Sequence, residues 1–244
     1  MKNCIVLSGQ YRTFDQTWEN IKKLIDLNQL DVYCHLWSTN EREISNVWER
    51  LKPKRFTHDN FYDFEPGFVA IEERVRLANP KNVEKQKSYT TSTGATVMLE
   101  DKIAGNASMN YSRKVAFDLI EEPYDNLVYC RYDLGFNNLF SFEKMDCLLS
   151  PLEESYNIIS DIFAIMPFEY AKYYFLYNDY EKLHSTQWEP EFENYMRDIR
   201  MYGEENIHIQ KKYRYCPHIM LLRQLYMNKV KQVTTNQLSV YIQR

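Results

Sequence analysis

The sequence predicts an α/β fold in which a mainly parallel sheet is flanked by helices. Short apolar runs alternate with stretches of helical periodicity from the first residues onward, and strand, helix, strand, helix in that order is the mark of βαβ units. The run Leu127-Val-Tyr-Cys130 is apolar at consecutive positions, as a strand buried on both faces must be. That run stops abruptly at Arg131-Tyr132-Asp133. Ionised groups at the carboxyl end of a buried strand are costly unless they sit at an opening, and that edge is where open α/β sheets bind ligands.

Taken in order, Asn3 to Leu7 is a short buried strand and Ser8-Gly9-Gln10-Tyr11-Arg12 a turn. Residues 14–27 form a helix with Trp18, Ile21, Ile25 and Leu27 apolar. Asp31-Val-Tyr-Cys-His-Leu36 is a second strand, Glu41–Leu51 a second helix with Ile44, Val47, Trp48 and Leu51, and Lys54-Arg-Phe-Thr57 fits a shorter third strand. From His58 to Thr96 the rhythm breaks. Pro66-Gly67, Asn79-Pro80, clustered lysines and Ser88-Tyr-Thr-Thr-Ser-Thr-Gly94 read as a long excursion with one helix near 70–78, either a lid or a poorly ordered segment. A helix at about 106–121 is stopped by Pro123, and the buried strand 126–130 follows. After a short run over Gly135–Phe142, Tyr156-Asn-Ile-Ile159 reads as a strand before Ser160-Asp161. Helical patterns fill 167–183, 188–201 and about 217–228, with Asn206–Ile209 strand-like between the last two. The whole is expected to be a single domain, 1–244, with 202–244 a C-terminal extension on its core.

Composition narrows the function classes. The chain of 244 residues carries 30 basic and 34 acidic residues, net −4, without the basic excess of a general nucleic-acid binder. No segment approaches the roughly 18 apolar residues of a membrane span. The apolar stretch Cys4-Ile-Val-Leu7 is too short for a signal-peptide core, so a soluble, cytoplasmic protein is expected. The five cysteines, Cys4, Cys34, Cys130, Cys147 and Cys216, are odd in number and form no CxxC pair, which fits buried thiols in a reducing compartment. The 20 tyrosines suit either a sugar or base site or the rim of the core.

GxGxxG, GxxxxGK, HExxH and GxSxG are all absent, which sets aside standard dinucleotide, phosphate-loop, zinc-protease and serine-hydrolase readings. What remains is a set of polar residues at strand ends: Ser8, Gly9, Gln10 and Arg12 after the first strand, His35 and Trp37 at the end of the second, Arg131 and Asp133 after the central one, and Asp161 after another. In a parallel sheet such ends converge on one crevice. Alternation puts Arg131 and Asp133 on one face and Tyr132 on the other. A cation and a carboxylate aimed together suit a phosphate-bearing ligand, directly or through a metal ion; they equally suit a structural ion pair closing a strand. Taken singly, each residue also has a plain structural role: Ser8 or Asp161 as a helix cap, His35 as a satisfied core histidine, Trp37 as core.

The motif order Ser8-Gly9-Gln10-x-Arg12, Asp31-Val-x-x-His35-x-Trp37, Met109-x-Tyr111-Ser112, Tyr124-Asp125-x-x-Val128-x-x-Arg131-x-Asp133-Leu134 and Ser160-Asp161-x-Phe163-Ala164 resembles GT-A-type glycosyltransferase domains of large DNA viruses, phages and bacterial polysaccharide clusters. The resemblance spans roughly residues 3–200. It implies a GT-A-like (Rossmann-like) mixed sheet, a nucleotide-diphosphate-sugar donor, a glycan acceptor and a divalent cation, manganese or magnesium. Carried over, Ser8, Gly9, Gln10, Arg12, His35, Trp37 and Arg131 would bind the donor, and Asp133 would be the metal ligand. Asp161, and after it Glu191, would be the catalytic base. The family's Asp-x-Asp occurs nowhere in the chain, and arginine stands at 131. One carboxylate is a thin site for a hard cation that prefers several oxygens. Glu189 and Glu191, on either side of Pro190, also read simply as acids in the first turn of a helix. Two other classes would use the same crevice: a non-catalytic nucleotide- or sugar-binding module, and a nucleotidyltransferase.

Overall fold

The structure, a computed structural model, describes residues 1–78, 88–90, 96–151, 160–175, 188–198, 217–235 and 237–243. The elements are β1 (Asn3–Gln10), α1 (Phe14–Asn28), β2 (Leu30–Trp37), α2 (Glu41–Leu51), β3 (Arg55–Asp59), α3 (Phe61–Ala78), β4 (Ser88–Thr90), β5 (Thr96–Met98) and α4 (Leu99–Asp118). They continue with β6 (Asn126–Cys130), β7 (Leu134–Phe136), β8 (Leu148–Pro151), β9 (Phe163–Pro167), α5 (Phe168–Phe175), α6 (Pro190–Asp198), α7 (Pro217–Met227), β10 (Gln232–Thr235) and β11 (Val240–Ile242). The fold is a mixed α/β sheet with flanking helices. Among the described residues the main sheet has seven strands in the order β3-β2-β1-β6-β9-β8-β10. β1 pairs parallel with β2 and β6, β2 with β3, and β8 with β10; β9 runs against both β6 and β8. No described helix is long and apolar enough to cross a membrane.

Strand alternation divides the core. Cys4 and Val6 of β1 and Leu127 and Tyr129 of β6 face one side, where α5, α6 and α7 contribute Tyr174, Phe175, Phe192, Leu221 and Leu225. Ile5, Leu7, Val128 and Cys130 face the other, against Phe14, Ile21 and Leu24 of α1. Both faces of the sheet centre are therefore buried, which is why the strand at 126–130 shows no polar alternation.

Three differences from the sequence reading have local causes. Strand β1 continues through Ser8 and Gly9 to Gln10, in register with His35, Leu36 and Trp37 of β2, so the turn begins only at Tyr11. Within the 58–96 excursion, α3 starts at Phe61 and runs through Pro66. The proline removes a backbone donor, but Phe68 and Val75 are buried, and Phe61, Phe64 and Ile71 pack with Phe68 against Trp37, which offsets that loss. The strands β8, β10 and β11 carry too little apolar alternation to stand out. Tyr156–Ile159 and Asn206–Ile209, both read as strands, lie outside the described residues, so the strand that positions Asp161 is β9, which begins just after it.

A small second sheet closes over the end of β6. β11 pairs antiparallel with β7, Tyr241 opposite Gly135. A Cβ at Gly135 would run into the Tyr241 ring. Replacing Gly135 by alanine is expected to lower stability by about 1–3 kcal/mol, the range for overpacking. Adding Tyr241→Ala should recover most of that loss in urea unfolding; two penalties that simply add would mean that the ring is not what excludes the methyl group.

Candidate active site

The carboxyl ends of β1, β2 and β6 open on a cavity of about 380 Å³. Its sheet-side wall is made by Ser8, Gly9, Gln10, Arg12, Tyr129, Arg131, Asp133 and Asp161. The opposite wall comes from Trp37, Phe61 and the α4 residues Gly105, Asn106, Ser108 and Met109. Asp161 reaches the same edge because β9 is reversed: the start of an antiparallel strand lies beside the ends of its parallel neighbours. It is buried, with 5% of its surface exposed.

The end of β1 and the turn after it each hold one unusual backbone conformation. Gly9 has φ +125°, a region that side-chain-bearing residues rarely adopt, and the space where a Cβ would project is open. Arg12 has φ +42°, a costly left-handed conformation for an arginine, and strain of this kind concentrates at functional sites. Thr13, at the N-cap of α1, makes no cap bond; its hydroxyl donates to the Gln243 carbonyl at 2.8 Å. The Gln243 N–H donates to the Asp133 carbonyl at 2.9 Å, so the segment after β11 braces the turn and the β6 end together.

Asp133 is the hub. Only 2% of its side chain is exposed. Arg131 grips it with both arms of its fork, Nε to Oδ1 at 3.0 Å and Nη2 to Oδ2, while Arg12 Nη1 donates to Oδ2 at 2.9 Å. Arg12 also donates from Nε to Gln10 Oε1 at 3.1 Å. The backbone of residues 132–142 is pinned to α1. Thr17 donates to the Tyr132 carbonyl at 2.5 Å, Asn20 exchanges bonds with the Phe136 backbone, and Asn28 bonds the backbone of Phe140 and Phe142. Tyr132 itself is fully buried, edge-on to Phe14. Both readings of the strand end thus meet in one arrangement, since the Arg–Asp pair closes the strand and also lines the cavity.

This geometry tests the expected metal role of Asp133, and the donor set does not suit a hard cation as arranged. Both carboxylate oxygens already accept from guanidinium N–H groups. A divalent ion here would sit against two guanidiniums, and at about 4 Å each such pairing costs roughly 8 kcal/mol at an effective dielectric constant of about 20, twice the figure for unit charges. Among the described residues, no three His, Cys, Asp or Glu side chains group in a way that could hold a metal ion.

Other candidates fall differently. Of the proposed donor-binding residues, Ser8, Gly9, Gln10, Arg12, Trp37 and Arg131 line the cavity; His35 does not. His35 is fully buried, with Nδ1 bonded to Ser112 Oγ at 2.6 Å and Nε2 to Asp59 Oδ2 at 3.1 Å. Its place in mid-strand on the α4-facing side makes it a core residue. Trp37, two residues on, reaches the edge of the same face; one face of its indole stacks on Tyr111 at 5.4 Å and 23°. Glu191 is exposed on the first turn of α6 and does not line the cavity, and its neighbour Glu189 forms a bidentate pair with buried Arg223. Burial pushes the Cys34 thiol up to about 12 and raises Cys130 well above the usual thiol range, so neither is a thiolate nucleophile. The α4 wall was not assigned from sequence. A polar stripe at helical spacing, Asn106, Asn110 and Arg113, marks the buried side of α4, but of the three only Asn106 lines the cavity.

No family model matches the chain, and no curated protein matches it. Solved structures with a similar course of chain include the apo form of mouse xyloside xylosyltransferase 1, at TM-score 0.38 and 9% identity over 96% of this chain and 85% of that one. Another is the galactosyltransferase LgtC in complex with donor and acceptor sugar analogs, at TM-score 0.36 and 13% identity over 84% of this chain and 69% of that one.

Burial lowers the pKa of His35, against the raising effect of the Asp59 hydrogen bond, so folding favours the neutral ring. Protonation then favours the unfolded chain, where imidazole titrates near 6.5. This contribution to stability is complete above about pH 6.5 and is lost as pH falls below it, by at most about 1.4 kcal/mol per pH unit. Thermal melts at about pH 7.5 and about pH 5.5 should show a smaller acid shift for His35→Gln than for the unmodified protein. An equal shift in both would assign the pH dependence elsewhere.

Proposed function

We propose that the protein is a glycosyltransferase that moves a sugar from a nucleotide-diphosphate-sugar donor to a hydroxyl of a glycan acceptor. The observation that carries the reading is one cavity at the ligand-binding edge of the sheet, faced by two arginines and by a separate buried carboxylate, Asp161. The motif resemblance noted in the sequence points the same way. A nucleotidyltransferase would call for a basic phosphate loop, which the sequence lacks.

Sugar transfer breaks the bond between the anomeric carbon and a phosphate oxygen, leaving the electron pair on the diphosphate while the sugar becomes oxocarbenium-like. Donors fixed where that charge develops lower the barrier. Arg12 and Arg131 occupy such positions in this reading. Ser8, Gly9 and Gln10 would meet the nucleotide, with Gly9 letting the ligand approach the backbone closely. Trp37 and Phe61 would give an apolar wall for a ring. In an inverting reaction the acceptor oxygen forms the new bond to the anomeric carbon as its proton passes to a carboxylate. Asp161 is the proposed base; Glu191, which does not line the cavity, is not assigned the role.

A panel of nucleotide sugars, read by thermal shift and by donor hydrolysis, tests the substrate class. Binding without hydrolysis or transfer on any acceptor would identify a binding module instead. With the active donor, Asp161→Asn is expected to cut kcat by roughly 10²–10⁴-fold with donor affinity little changed. Loss of donor binding in that variant would make Asp161 a binding residue.

A further inference from the structure

We infer that the site neutralises its diphosphate with the Arg12–Arg131 pair, organised on Asp133, and needs no divalent cation to do so. The inference rests on reading the cavity as a nucleotide-sugar site, and it assigns Asp133 a positioning role in place of a ligand role. A carboxylate that serves a metal must present oxygens to it. Asp133 turns both oxygens to guanidinium groups, and its side chain is almost wholly buried. All three residues line the cavity, and the arginines are the more open: Arg12 is half exposed and Arg131 19% exposed.

The charge balance agrees. Around Asp133 two guanidiniums outnumber one carboxylate, which leaves this stretch of the wall positive; Asp161, elsewhere on the lining, brings the cavity to two groups of each sign. The forks are also held in fixed orientations. Arg131 is locked by its bidentate pair, and Arg12 is held between Asp133 and Gln10 on a strained backbone. Each still carries N–H donors beyond those it gives to Asp133 and Gln10, and planar forks suit the oxygens of a phosphate. Position 131, where the resembled family has an acid, therefore replaces a cation bound by the protein with a cation that belongs to it.

The test is calorimetry of the full chain with inorganic pyrophosphate, a set of nucleoside diphosphates and the matching nucleosides, each in excess chelator and in excess Mn²⁺. The expected result is diphosphate binding in chelator within about threefold of that in Mn²⁺, weakening as salt rises. Arg131→Met should lose at least tenfold in diphosphate affinity and leave nucleoside affinity unchanged. Arg131→Lys, which keeps the charge without the fork, should recover only part of the loss. Asp133→Asn should weaken diphosphate binding in chelator, whereas a metal ligand would show its effect only in Mn²⁺. Matched thermal melts separate these effects from misfolding.

Diphosphate binding that appears only with Mn²⁺ would overturn the inference and leave the glycosyltransferase reading standing. Pyrophosphate binding in chelator that Arg131→Met abolishes, with no nucleotide or nucleotide sugar bound, would do the reverse. Failure of every probe in both conditions would overturn both.

Discussion

A carboxylate withdrawn from water has to be paired, and the pairing of Asp133 organises the cavity edge of this protein. Stripping one partner from a buried ion pair leaves an uncompensated charge, at a cost of about 3–5 kcal/mol. Asp133 binds a guanidinium from the turn after β1 and another from its own segment, and its backbone carbonyl accepts from Gln243. Parts of the chain far apart in sequence are thereby fixed to one buried point. The arginines reach the cavity wall because this anion holds them there.

The scaffold around that point is stiff for ordinary reasons. Parallel pairing of β1 with β2 and β6 sets the strand ends side by side. The polar side of α1 acts on the backbone of 132–142 through Thr17, Asn20 and Asn28. These residues are modest helix formers by propensity, and here their side chains satisfy loop amides and carbonyls that would otherwise lack partners. The left-handed Arg12 sits between β1 and α1, both well packed, so the cost of its conformation is met by its surroundings and its side chain is aimed.

Much of this was legible in the sequence where one physical signal dominated. Helix α2 spans Glu41–Leu51 as the periodicity indicates, and β6 is as buried as its unbroken apolar run requires. The gathering of Ser8, Gln10, Trp37 and Arg131 at one edge follows from the parallel order of their strands. What stayed hidden depended on partners distant in sequence. Nothing local says that Asp133 would be taken by Arg12, or that β9 would run backwards and bring Asp161 to the edge by its beginning. His35 is buried two residues short of the end of β2 and does not line the cavity, in keeping with the core-histidine alternative that the sequence also allowed. Pro66 misled because its helix is held by packing against Trp37 that no propensity records.

The brace formed by Gln243 carries a consequence for how the protein comes into being. Thr13 and Gln243 are 230 residues apart, yet they bond beside Arg12. During synthesis the sheet strands β1, β2 and β6 can pair long before that contact exists, since domains form from the N-terminal side as the chain emerges. The arginine wall gains its final support only when the segment after β11 is out of the ribosome. A nascent chain would therefore pass through a stage with a formed sheet and an unbraced ligand edge, and competence to grip a ligand there would arrive as a late event in the life of each molecule.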